Sequence, residues 1–115
     1  MSPVFKIAGR EEWAAAEAAG VYTGAPVDVA DGFIHFSAAH QVAETAAKHF
    51  AGRADLLLVA VDADALGEAL VWEVSRGGDR FPHLYGSLPL DAVLWVKDLP
   101  LAAGAHVFPE GVLPR

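Results

Sequence analysis

The chain has no cysteine among its 115 residues, which excludes disulfide frameworks, thiolate metal sites and cysteine nucleophiles. No apolar run approaches the roughly 18 residues of a membrane span. The opening MSPVFKIAGREEW also lacks the basic start and continuous apolar stretch of a signal peptide. No membrane association is expected, and the expected location is the cytoplasm. Positive charge is scarce too: eight Lys and Arg stand against fifteen Asp and Glu, a formal net charge of −7 with the basic residues scattered. That field repels a long phosphate backbone, so extensive nucleic-acid binding is not expected. A pocket with one or two basic groups can still hold a small phosphorylated ligand.

What is present is apolar. At 54% apolar and 20% charged residues, the composition argues for a well-filled interior rather than disorder. The length suits one core, so residues 1–115 are expected to form a single domain without internal repeats or linkers.

Local pattern divides the chain. PVFKIA (residues 3–8) alternates as a first strand. After Gly9, REEWAAAEAA places acids in a first helical turn, follows them with strong helix formers and stops at Gly20. Residues 20–32, GVYTGAPVDVADG, lack helical periodicity and read as a loop leading into a strand within DGFIHFS. Ser37 is placed to cap a helix in AAHQVAETAAKHF, which Gly52 closes. DLLLVAVD (55–62) reads as a central strand covered on both faces, ADALGE as one helical turn or bend, and ALVWEVS (69–75) as a further, largely covered strand. RGGDR is a turn. In FPHLYGSLPLDAV, Pro82, Gly86 and Pro89 stand too close together for a regular element longer than a turn, so an ordered loop is expected. AVLWVKDLPL is the last strong strand, before a short terminal strand and an irregular tail. Two early helices and mostly strands afterwards predict an α+β fold.

Polar groups with chemical potential gather in a few places. Alternation in DGFIHFS sets Ile34 and Phe36 on one face and Phe33, His35 and Ser37 on the other. His35 either faces a cleft or satisfies a backbone carbonyl at a strand end. Ser37 reads better as a cap than as a nucleophile, since no G-x-S-x-G surrounds it. Glu73, on a covered strand, requires a partner; a bridge to Arg76 or Arg80 competes with a role as acid, base or ribose ligand. In FPHLYG, Pro82 fixes the backbone while His83 and Tyr85, two residues apart, can project together. They suit a flat ring such as adenine or nicotinamide, or else plug a sheet edge. His35, Glu73 and His83 also make a two-histidine, one-carboxylate set, but no metal-ligand spacing supports it and no metal is expected.

DGFIHFS, WEVSRGG and FPHLYGSLPLDAV together resemble the small bacterial family called domain of unknown function 952, the likeness running from VFKIA and EEW to AVLWV. More distantly, the chain resembles the ADP-ribosyltransferase superfamily, especially its RNA 2′-phosphotransferase branch. There a strand, a helix, a glycine, a loop and a V-H-L-S strand occur in the order of VFKIA, EEWAAAEAAG and FIHFS here. That resemblance implies two N-terminal helices packed on a strongly bent, mostly antiparallel sheet, and a cleft that takes NAD. His35 then takes the V-H-L-S histidine position and orients ribose, Glu73 stabilises charge or acts as base, and His83 with Tyr85 holds the ring. Lys6 stands where the superfamily has its first-strand H-G-T, replaced here by KIA, and the last segment lacks the catalytic glutamate. The expected ligand is a nucleotide-like small molecule, with His35, Glu73 and His83 as catalytic candidates and Lys6, Ser37, Arg76 and Tyr85 as binding residues. A non-catalytic binding or regulatory module and a metal-assisted hydrolase are the alternatives.

Overall fold

The computed structural model describes residues 3–114, and the side chain of Arg76 lies outside the described residues. The elements in chain order are β1 (Pro3–Gly9), α1 (Arg10–Ala19), β2 (Val21–Tyr22), α2 (Pro26–Asp31), β3 (Ile34–His35), α3 (Val42–His49) and β4 (Leu56–Asp62). There follow α4 (Ala63–Leu66), β5 (Leu70–Val74), β6 (Arg80–Leu84), β7 (Leu88–Pro89), β8 (Val93–Asp98), β9 (Leu101–Ala102) and β10 (Ala105–His106). The described strands form two three-stranded sheets, β1-β4-β8 and β3-β6-β5, and two short ribbons, β2-β7 and β9-β10. Every pairing is antiparallel, which gives an α+β fold.

The run LLLVAVD explains the layering. As β4 it lies between β1 and β8, and its side chains alternate between two cores. Leu57, Val59 and Val61 join Val4 and Ala8 of β1, Trp13 and Ala16 of α1, and Ile34 and Leu84 of the second sheet. Leu56, Leu58 and Ala60 join Phe5 and Ile7 with Val42 and Ala46 of α3. A strand apolar at every position is stable only when both faces are covered, and here each face has its own helix.

One short stitch sets the site. The Phe5 N–H donates to the Ser37 carbonyl and the Ser37 N–H to the Phe5 carbonyl, both at 2.8 Å, while the Phe36 N–H donates to the Pro82 carbonyl at 2.9 Å. These bonds tie β1 to the end of β3, and β3 to β6, so Lys6, His35, Ser37 and His83 converge from three remote stretches.

Several expectations are corrected. The segment expected to be a loop, residues 20–32, contains β2 and α2. Pro26 pre-sets the helical φ, the Asp28 carboxylate accepts from the Ala25 N–H at 2.7 Å, and Gly32 ends the turn at φ 86°. Ser37 caps no helix: its backbone is held by Phe5, its hydroxyl lies 3.0 Å from the Thr45 hydroxyl, and α3 begins only at Val42. Phe50, not Gly52, takes the C-cap position. FPHL falls within β6, the middle strand of its sheet, and Tyr85 follows its end. Pro82 is tolerated because the N–H it lacks would face Phe36, just beyond the end of two-residue β3. Finally, β5 is an edge strand with Trp72 and Val74 exposed, so Glu73 is partly open to water rather than covered.

Candidate functional site

The site begins with a lysine in a place made for apolar side chains. Lys6 shares the face of Val4 and Ala8 and is only 4% exposed. An unpaired ammonium there would be prohibitive, and Asp28, 1% exposed, neutralises it with Nζ to Oδ2 at 2.8 Å and to Oδ1 at 3.1 Å. The same carboxylate accepts from the Ala25 N–H, from the His35 N–H at 3.1 Å and from His35 Nδ1 at 2.6 Å. The other ring nitrogen of His35, Nε2, is 2.9 Å from Asp31 Oδ2. His35 is thus clamped by two carboxylates of α2, three residues apart on a single helical turn.

The electrostatics follow from these contacts. Burial alone would raise the Asp28 carboxyl, but the His35 hydrogen bond, the Lys6 charge and the hydrogen bonds from Lys6 and Ala25 together hold it well below the usual carboxylate range. For Lys6, burial outweighs the attraction of Asp28, so its ammonium sits below the ordinary lysine value.

A second histidine is set differently. His83, 6% exposed, stacks on Phe33 with ring centroids 4.1 Å apart, and its Nδ1 is 2.8 Å from Glu73 Oε1. The same oxygen accepts the Tyr85 hydroxyl at 2.8 Å. Hydrogen bonds from His83 and then Tyr85 hold the Glu73 carboxyl below its usual range. The His35 and His83 rings meet edge-on at 5.5 Å, with Phe33 against both.

Lys6, His35, Ser37 and His83 line one cavity of about 590 Å³. Its apolar wall includes Phe5, Phe36, Phe50 and Phe81, and Glu12, Asp31 and Arg53 also border it. Glu73 and Tyr85, expected at the cleft, are not among the lining residues: Glu73 bonds His83 Nδ1, and the Tyr85 hydroxyl donates to Glu73. Arg76, expected as a ligand residue, has its side chain outside the described residues. Among the described residues no group of three or more His, Asp or Glu is placed to hold a metal ion.

Reading the sequence missed Asp28 and Asp31, because PVDVAD was taken as loop. The available signal was a proline followed two residues later by an acid, the pattern of a helical first turn. The reach of Asp28 to Lys6, across 22 positions, has no local signature.

The family model described as "Protein of unknown function (DUF952)" matches residues 7–96. The crystal structure of protein CC0527 from Caulobacter crescentus is similar at 53% identity, covering 92% of this chain and 94% of that chain with a TM-score of 0.89. Its solution NMR structure is similar at 54% identity, covering 92% of this chain and 91% of that chain, with a TM-score of 0.82. No curated protein matches the chain.

Proposed function

We propose that this chain, which belongs to the DUF952 family of proteins of unknown function, binds a nucleotide-like small molecule of the NAD kind where its two larger sheets meet. The observation that carries this reading is the convergence of Lys6, His35, Ser37 and His83 on one aromatic-walled cavity of nucleotide size. His35, clamped at both ring nitrogens by Asp28 and Asp31, holds the Asp31 carboxylate at the cavity border, where that carboxylate can accept from ribose hydroxyls, and the phenylalanine wall suits a flat base. Glu12 and Asp31 at the border complement the cationic pyridinium of NAD+. Within this reading, Lys6 positions Asp28 and His35 rather than gripping phosphate, since its charge is already taken by Asp28.

Calorimetry and thermal shift with NAD+, ADP-ribose and AMP test the reading. At a ligand concentration 100 times Kd, binding adds about 2.7 kcal/mol of stability, a Tm rise on the order of 10 °C for a chain of this size. Absence of heat and of any Tm shift with all three compounds would end it. Nicotinamide release from NAD+ then separates an enzyme from a binding module, binding without release supporting the module.

A further inference from the structure

Two histidines meet edge-on at the site, yet their hydrogen-bonding differs in kind. His35 is engaged at both nitrogens, by Asp28 and by Asp31. His83 is engaged at Nδ1 alone, and among the described residues its Nε2 has no partner. A carboxylate accepts only, so Glu73 fixes the Nδ1–H tautomer of neutral His83 and leaves the Nε2 lone pair available to the cavity that the ring lines. Stacking on Phe33 holds the ring plane, and the Tyr85 hydroxyl holds the carboxylate that holds the ring. An oriented imidazole with a carboxylate behind it and an open nitrogen in front is built to take a proton.

We infer that His83 is a general base of the cleft, with Glu73 and Tyr85 as its positioning residues. The substrate in this inference rests on the ligand reading above. His83 Nε2 takes a proton from a water as the water oxygen bonds to the anomeric carbon of the ribose. The carbon–nitrogen bond to the pyridinium ring breaks with its electron pair passing to the ring nitrogen. Neutral nicotinamide leaves, ADP-ribose carries the new hydroxyl, and the proton on His83 passes to solvent. Among the described residues, the charged and titratable groups around the imidazole are Glu73 and Tyr85 on its Nδ1 side and the His35 ring, backed by Asp28 and Asp31, in edge contact with it.

The test pairs a ligand-dependent with a ligand-independent readout on the full chain. In H83N the amide nitrogen replaces Nδ1 toward Glu73 while the base is gone. At NAD+ concentrations that calorimetry shows to saturate the variant, it is expected to release nicotinamide some 100- to 10,000-fold more slowly. E73Q is expected to lower kcat with KM unchanged, the split that marks positioning rather than binding. Wild-type nicotinamide release at an undiminished rate in H83N overturns the inference, as does NAD+ bound by the wild type without any release. Nitrogen NMR of wild-type His83 needs no ligand and no variant: a neutral ring protonated at Nδ1 supports the base, and one protonated at Nε2 overturns it. Failure of NAD+ to bind, alongside an Nδ1-protonated His83, strikes the ligand reading and still supports the base.

Discussion

Replacing Asp28 by asparagine removes the buried carboxylate that pairs with Lys6. The carboxylate accepts from four groups: the Lys6 ammonium, the Ala25 and His35 amides and the His35 ring. Asparagine keeps one acceptor oxygen and turns an NH2 group toward these donors, so at least one donor loses its acceptor and Lys6 loses its paired carboxylate. Breaking a buried pair from one side costs about 3–5 kcal/mol, a large share of the roughly 5–15 kcal/mol that holds a domain together. Denaturant unfolding of D28N against wild type at neutral pH is expected to show that loss, and K6M/D28N to recover part of it because no charge is then stranded. The pH dependence has a definite sign. Because the folded-state value of Asp28 is depressed, its contribution is complete above the unfolded value of about 3.9 and is lost as pH falls below it toward the folded value. D28N should therefore weaken the protein at neutral pH and flatten its acid-side decline. A D28N stability within about 1 kcal/mol of wild type would refute the assignment of Asp28 as the buried counter-charge of Lys6, since an exposed ion pair is worth at most about that much.

Two further outcomes follow from the fold. Leu58 is fully buried in the α3-side core, and L58A is expected to cost about 2–5 kcal/mol in the same unfolding assay. Gly32 ends α2 at φ 86° with open space where a Cβ would sit, so G32A should cost about 1 kcal/mol through backbone strain alone, visible as a small Tm drop without altered spectra.

The parts legible in the sequence are those fixed by neighbours along the chain. β4 announced itself through an unbroken apolar run, and α1 through its acidic first turn and Gly20, which closes it at φ 84°. The parts that were not legible depend on distant partners. Pro82 looked incompatible with a strand because its tolerance rests on where β3 ends, 46 positions earlier in the pairing of Phe36 with Pro82. α2 was hidden by its flanking Gly24 and Gly32 and its shortness, and Asp28 with it. Glu73 was expected to be covered because local hydrophobicity cannot reveal that β5 ends a sheet. For the site, two-residue alternation was enough to set His35 with Ser37 and His83 with Tyr85, but not to show that His83 and Tyr85 share one oxygen of Glu73, for which Arg76 or Arg80 was the expected partner. That the two groups share a cavity depends on the stitch between Phe5 and Ser37, which only the tertiary structure supplies.

The most direct test of the cleft is a residue-resolved proton–nitrogen correlation spectrum of the whole protein titrated with NAD+. Saturable shifts centred on Lys6, His35, Ser37 and His83 are the predicted result. Flat spectra at millimolar NAD+, or shifts confined to surfaces away from these four residues, would contradict it.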